Sequence, residues 1–102
     1  MSAQDKIKQQ VTSNPIVLYM KGTPDAPMCG FSAAAVKILE ACGAENVATV
    51  DVLSDQEVRQ GIKEFSNWPT IPQLYVNGEF VGGSDIMREM YQSGELQKLF
   101  GK

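Results

Sequence analysis

Apolar positions along the chain fall into short blocks divided by Gly, Pro and Asn. Ile16-Val17-Leu18-Tyr19-Met20 is apolar throughout and lies between Asn14-Pro15 and Lys21-Gly22. Such a run predicts a central strand buried on both faces. Ahead of it, Ser2–Gln10 reads as a helix, with Ser2 and Asp5 in capping-box spacing and Ile7 and Val11 on one side. After it, a loop over Lys21–Met28 leads to Ala33–Ala41, a run of strong helix formers stopped at Gly43.

Val47–Val52 is rich in β-branched residues and predicts a second strand. Ser54-Asp55-Gln56-Glu57 is a capping box for a helix whose inner face is Val58, Ile62 and Phe65, and Gly61 weakens that helix by about 1 kcal/mol relative to alanine. Gln73–Val76, Asn77-Gly78 and Glu79–Val81 form a hairpin with a type I′ turn signal. Ser84–Ser93 is a closing helix with Ile86, Met87, Met90 and Tyr91 at helical spacing, stopped by Gly94 and followed by a short helical tail. This order demands a βαβ crossover followed by an antiparallel hairpin, and so a mixed sheet with helices on both faces. Ligands of such sheets gather at the carboxyl ends of the parallel strands, where Lys21, its loop and Cys29 lie.

A chain of 102 residues, 43% apolar, fits one domain over residues 1–102 with a core that needs no disulfide or metal staple. The longest apolar run is far short of the about 20 residues a spanning helix requires, so no membrane segment is expected. The polar start, Met1–Gln10, resembles neither a secretory signal nor an Arg-rich transit peptide, which points to the cytoplasm, or to a matrix-type compartment if a leader was trimmed. Nine basic against twelve acidic side chains, without a Lys/Arg block, argue against nucleic-acid binding. The absence of histidine removes Ser-His-Asp and Cys-His catalysis and imidazole metal sites. Two cysteines cannot build a zinc site, so metal chemistry must borrow ligands from outside the chain.

Cys29 precedes the first turn of a helix, where free N–H groups and the dipole favour an anion. Its thiol is expected to titrate at about 3.5 to 7.5 rather than about 8.5, with Lys21 as a second positive field. The plain alternative is a small buried cysteine. Ser32 stands where a Cys-x-x-Cys pair would carry its second thiol; it can donate a hydrogen bond to the thiolate but cannot resolve a mixed disulfide. Cys42, about 20 Å further along the helix, is too far away to pair with Cys29 and reads as core. Trp68-Pro69-Thr70-Ile71-Pro72 precedes the hairpin, and the Ile71–Pro72 bond is a candidate cis bond that would leave the main chain of Thr70 and Ile71 free to pair with an extended peptide; a simple strand-entry proline is the alternative. Gly82-Gly83-Ser84-Asp85 offers helix N–H donors to a carboxylate and Asp85 to an amine, unless Asp85 merely caps its helix. Arg59 is a second candidate cation or an ordinary solvated side chain.

Lys21-Gly22-Thr23-Pro24, Cys29-Gly30-Phe31-Ser32, Trp68-Pro69-Thr70-Ile71-Pro72-Gln73 and Gly82-Gly83-Ser84-Asp85, in this order and spacing, make the chain resemble the monothiol glutaredoxins of the CGFS type over nearly its whole length. The resemblance implies a thioredoxin-like α/β fold with a four-stranded mixed sheet flanked by helices. It also implies glutathione binding, a [2Fe-2S] cluster bridging a homodimer, and transfer of that cluster to apo iron–sulfur acceptor proteins, with a BolA-like protein as a possible partner. Cys29 would be cluster ligand and glutathionylation site. Lys21 and Arg59 would meet the glycyl carboxylate of glutathione, Thr70 and Ile71 its cysteinyl main chain, and Gly83, Ser84 and Asp85 its γ-glutamyl end. Trp68 would support the site and Pro72 would be cis. Many relatives carry cysteine at the position of Ser84, so accessory disulfide chemistry there is not implied.

A [2Fe-2S] cluster needs four ligands. With no histidine and Cys42 remote, each chain supplies one, two chains supply two, and external thiols such as glutathione must supply the rest. The competing function is a glutathione-dependent oxidoreductase that reduces mixed disulfides through Cys29 alone. The resemblance weighs against rapid turnover, because the loop Thr23-Pro24-Asp25-Ala26-Pro27 is longer than in dithiol relatives. A third reading is an interaction domain whose thiol is incidental.

Overall fold

In a computed structural model, which describes residues 2–101, the elements run α1 (Ala3–Ser13), β1 (Ile16–Met20), β2 (Gly22–Thr23), β3 (Ala26–Pro27), α2 (Gly30–Ala41), β4 (Val47–Asp51), α3 (Gln56–Ser66), β5 (Gln73–Val76), β6 (Glu79–Gly82), α4 (Ser84–Ser93) and α5 (Glu95–Leu99). Met1 and Lys102, the outermost positions of the expected domain, lie outside the described residues. The main sheet has the order β4-β1-β5-β6, with β1 parallel to β4 and antiparallel to β5, and β5 antiparallel to β6. This is the expected four-stranded mixed sheet.

Every residue of β1 is buried, because side chains that alternate across the sheet meet a helical layer on each side. Ile16, Leu18 and Met20 pack with Ala35, Ile38 and Leu39 of α2, Met87 of α4 and Leu96 of α5. Val17 and Tyr19 pack with Ile7 and Val11 of α1, Val58 and Ile62 of α3, and Tyr75. The Tyr19 hydroxyl donates to Gln10 Oε1 at 2.7 Å. Burial, with Tyr75 beside it, pushes the Tyr19 phenol well above its usual range.

Several local features differ from the sequence expectation. α1 runs on to Ser13, and α2 begins at Gly30 rather than Ala33, with Cys29 itself as the N-cap. α3 is capped by Asp55, not Ser54: Asp55 Oδ1 accepts from the Glu57 and Val58 amides, whereas the Ser54 hydroxyl turns back to the Asp51 carbonyl. The Lys6 ammonium, 2.8 Å away, together with the Val58 and Glu57 amides, holds the Asp55 carboxyl below its ordinary value. Gly61, read as a weak point of α3, is where α1 crosses it closely. A Cβ there would stand 3.1 Å from Ala3 Cβ and 3.2 Å from Ile7 Cδ1, and Gln4 Nε2 donates to the Gly61 carbonyl at 2.9 Å.

The segment expected as a loop, Lys21–Met28, contains the small hairpin β2–β3. Gly22 makes it possible: its φ is +89°, and a Cβ would lie 2.5 Å from the Ala26 carbonyl oxygen. Asp51 Oδ1, at the end of β4, accepts from the Gly22 amide at 3.0 Å and the Leu53 amide at 2.9 Å. The second hairpin turns at Asn77 and Gly78, both with positive φ as a type I′ turn requires. A register shift between Leu74 and Tyr75 adds a bulge at Val81 of β6, immediately before the Gly82-Gly83 pair.

Candidate functional site

Cys29 lies just beyond the β2–β3 hairpin, at the carboxyl end of β1. As N-cap of α2 it has extended backbone, and its Sγ accepts the Ser32 amide at 3.5 Å. The thiol is half-exposed. Partial burial raises its pKa, but the amide and hydroxyl of Ser32, the Phe31 amide and the Lys21 ammonium together outweigh that, and the thiol titrates below its ordinary value. Ser32 is fully buried and its Oγ also accepts the Lys21 amide at 3.1 Å, while the Met28 amide donates to the Lys21 carbonyl at 2.8 Å. The end of β1 and the start of α2 are thus fastened together around the thiol. Cys42, the C-cap of the same helix, is buried in the core, and burial raises its pKa.

Across from this point lies the segment before β5. The Ile71–Pro72 peptide bond is cis. No hydrogen bond to the main chain of Ile71 is made among the described residues. The Thr70 carbonyl accepts from Gln73 Nε2 at 3.1 Å, which leaves the second lone pair of that oxygen for a peptide. Gly83 abuts this segment; a Cβ on it would lie 3.3 Å from the Pro72 carbonyl oxygen and 3.5 Å from Trp68 Nε1. Gly83 is the N-cap of α4 and offers no capping side chain, so the first-turn amides at Ser84 and Asp85 are left to an outside acceptor. Ser84 is buried and Asp85 exposed.

These segments enclose a cleft of about 390 Å³ lined by Lys21, Phe31, Lys63, Trp68, Pro69, Thr70, Ile71, Pro72, Gly83, Ser84, Asp85 and Ile86. Of the sequence-predicted residues, Lys21, Trp68, Thr70, Ile71, Pro72, Gly83, Ser84 and Asp85 come together here. Cys29 does not itself line the cleft; Phe31, two residues on, and Lys21, whose charge acts on the thiol, do, and Met28 is exposed. Arg59 does not line it. Lys63, one turn later on α3, does, and the sequence reading missed it; the i,i+4 spacing from Arg59 was the available signal. The cleft therefore has a cationic side at Lys21 and Lys63, an open main-chain edge at Ile71, a helix N-terminus at Ser84 with a carboxylate at Asp85, and a low-pKa thiol alongside.

Among the described residues, no three or more His, Cys, Asp or Glu side chains gather in a way that could hold a metal ion. A metal bound through Cys29 would take its other ligands from outside the chain, which the exposure and ionisation of that thiol permit. Among the described residues no helix is long and apolar enough to cross a membrane.

The family pattern described as Glutaredoxin matches residues 16–81, a stretch that runs from β1 to β6 and includes Cys29. The mitochondrial monothiol glutaredoxin-5 of Schizosaccharomyces pombe is 60% identical over 95 residues, covering 91% of this chain and 65% of that protein, so this chain spans just under two thirds of that relative's length. The solution structure of a monomeric truncated mutant of Trypanosoma brucei 1-C-Grx1 superposes with a TM-score of 0.85 at 44% identity, over 97% of this chain and 88% of that one. A buckwheat glutaredoxin solved in complex with glutathione shares the fold at a TM-score of 0.85 and 24% identity, over 97% and 87% of the two chains. With a single active-site thiol, a serine three residues on and this thioredoxin-like fold, the chain belongs to the glutaredoxin family, in its monothiol branch.

Proposed function

We propose that this chain binds glutathione in the cleft and, through Cys29, carries a [2Fe-2S] cluster shared with a second copy, passing it to apo iron–sulfur acceptor proteins. The observation that carries the proposal is the juxtaposition of one accessible, low-pKa thiol with a cleft whose polar groups match a tripeptide end to end. Lys21 and Lys63 would meet the glycyl carboxylate, with Arg59 one turn from Lys63 on α3. The Ile71 main chain can pair with the cysteinyl residue as one strand pairs with another. The amides at Ser84 and Asp85 can receive the γ-glutamyl carboxylate while the Asp85 carboxylate receives its amine. Glutathione so held presents its thiol beside Cys29.

The cluster, as cargo, would take one sulfur from Cys29 of each copy and one from each of two glutathiones. This chain's residues bind and orient the tripeptide, keep the Cys29 thiol ionised, and leave it open to the partner. Half of the ligand set is then free to dissociate, which suits a carrier. A BolA-like protein is a candidate alternative partner for the second copy, and the cytoplasm is the proposed compartment.

A second reading is favoured by the lowered pKa of an accessible thiol. In it, the Cys29 thiolate attacks a glutathione mixed disulfide, taking the glutathionyl sulfur and releasing the substrate thiolate; a second glutathione thiolate then restores Cys29 and leaves as glutathione disulfide. Anaerobic reconstitution with iron, sulfide and glutathione, read by visible absorption and native mass, separates the readings. Cluster absorbance in a dimer with two glutathiones is expected. Colourless monomer with rapid mixed-disulfide turnover would overturn the carrier reading.

A further inference from the structure

Gln73, the first residue of β5, has no exposed surface, although its side chain is polar. A buried amide is tolerated only when its hydrogen bonds are made, and here they are. Nε2 spends both of its protons on main-chain carbonyls, that of Trp68 at 3.1 Å and that of Thr70 at 3.1 Å. Oε1 accepts from the Tyr75 hydroxyl at 3.2 Å. Burial, partly offset by Ser66, pushes the Tyr75 phenol up to about 12, so this hydroxyl remains a donor throughout the ordinary pH range. No side chain of the cleft wall between Trp68 and Ile71 performs this task; the wall is irregular backbone, and its two inward carbonyls depend on one amide.

We infer that Gln73 is a positioning residue: it sets the curvature of the Trp68–Ile71 wall and thereby presents the Ile71 main chain to whatever occupies the cleft. In its second half this rests on the proposed binding of glutathione there. Leucine would fill the volume but leave two carbonyls without donors, and glutamate is isosteric yet, when ionised, brings only acceptors to the same two carbonyls. A buried carboxylate resists ionisation, so protonation restores one of the two lost donors in mildly acidic solution.

Trp68 is the only tryptophan of the chain and packs against Phe80 with ring centroids 6.0 Å apart, so its fluorescence reports the wall without any ligand. The test compares the parent, Gln73→Glu, Gln73→Leu and the milder Tyr75→Phe, which frees Oε1 but keeps both donors. Trp68 emission is read from pH 5 to 8 without ligand, and glutathione affinity by calorimetry at both ends. The parent sets the baseline at each pH, because the Cys29 thiol alongside the same cleft, its pKa lowered, also titrates. Gln73→Glu should be shifted at pH 8 and return toward the parent at pH 5, with glutathione affinity about tenfold weaker at pH 8 and recovering in parallel. Gln73→Leu should be shifted at every pH, and Tyr75→Phe should fall between it and the parent. Parent-like emission in folded Gln73→Glu and Tyr75→Phe, even with lowered thermal stability, would overturn the assignment as merely structural. A parent protein that binds no glutathione would instead overturn the cleft's proposed ligand, and the emission profile would still decide the role of Gln73 in the wall.

Discussion

The amide of Ser32 lies 3.5 Å from the sulfur of Cys29, and the hydroxyl of the same serine accepts the Lys21 amide. One residue therefore stabilises the thiolate and ties down the strand end that carries the nearest cation. Because the folded chain favours the ionised thiol, Cys29 contributes stability that is complete above the ordinary thiol pKa and is lost as pH falls through the lowered folded value.

Ser32→Ala should keep the amide donor but lose the hydroxyl, so the alkylation rate of Cys29 should reach half-maximum at a higher pH than in the parent. The orphaned Lys21 amide should cost about 1–3 kcal/mol in urea unfolding. An unchanged pH midpoint would show that the hydroxyl has no part in activating the thiol. Ser32→Cys should form an internal disulfide with Cys29, one turn apart, when treated with oxidised glutathione, each bond formed reducing one glutathione disulfide to two thiols. Thiol counting measures it, and the variant should release its cluster under milder oxidation than the parent.

Cys29→Ser should abolish cluster binding with little loss of stability, since the side chain is partly exposed. Cys42→Ser should do the reverse, retaining cluster while losing about 1–3 kcal/mol through a hydroxyl placed in the apolar core. Equal loss of cluster absorbance in both variants would remove Cys29 as the ligand.

Lys21→Ala and Lys63→Ala should each weaken glutathione binding by about 1–3 kcal/mol, and added salt should shrink the difference. Arg59→Ala should have the smaller effect, because Arg59 stands outside the cleft that Lys63 lines. Calorimetry at two salt concentrations would rank the three.

Gly22→Ala should destabilise the chain by about 2 kcal/mol or more, since both the positive φ and the 2.5 Å approach to Ala26 oppose a side chain. Its cluster yield should fall with the hairpin that leads to Cys29. A parent-like unfolding midpoint would contradict the observed loop.

The sequence made some of this plain and hid the rest for identifiable reasons. An unbroken apolar run at Ile16–Met20 has only one comfortable place, in the middle of a covered sheet, and Asn77-Gly78 has only one comfortable turn. Ser54 and Asp55 are equally good caps in isolation; the choice is made by Asp51, whose carbonyl occupies the serine. The β2–β3 hairpin depends on the Asp51 carboxylate, supplied from 29 positions away, and local pattern carries no trace of that. Lys63 went unnoticed because which side of α3 faces the cleft is set by its packing on α1, a tertiary contact. The bond from Gln73 to the Thr70 carbonyl was hidden because nothing in the string says that Gln73 turns back toward it.

The packing of α1 bears on how the chain behaves when it is cut. Ile7 and Val11 cover Val17 and Tyr19, Gln4 and Lys6 bond to α3 and its cap, and Gln10 bonds to Tyr19 of β1. Cleavage in the link between α1 and β1, followed by loss of the freed helix, would uncover the part of Val17 and Tyr19 that α1 covers and the face of α3 that packs on it, Val58 and Ile62 included. The expected fate of such a shortened chain is self-association rather than a smaller working domain, so α1 is as much a wall of the molecule as any strand.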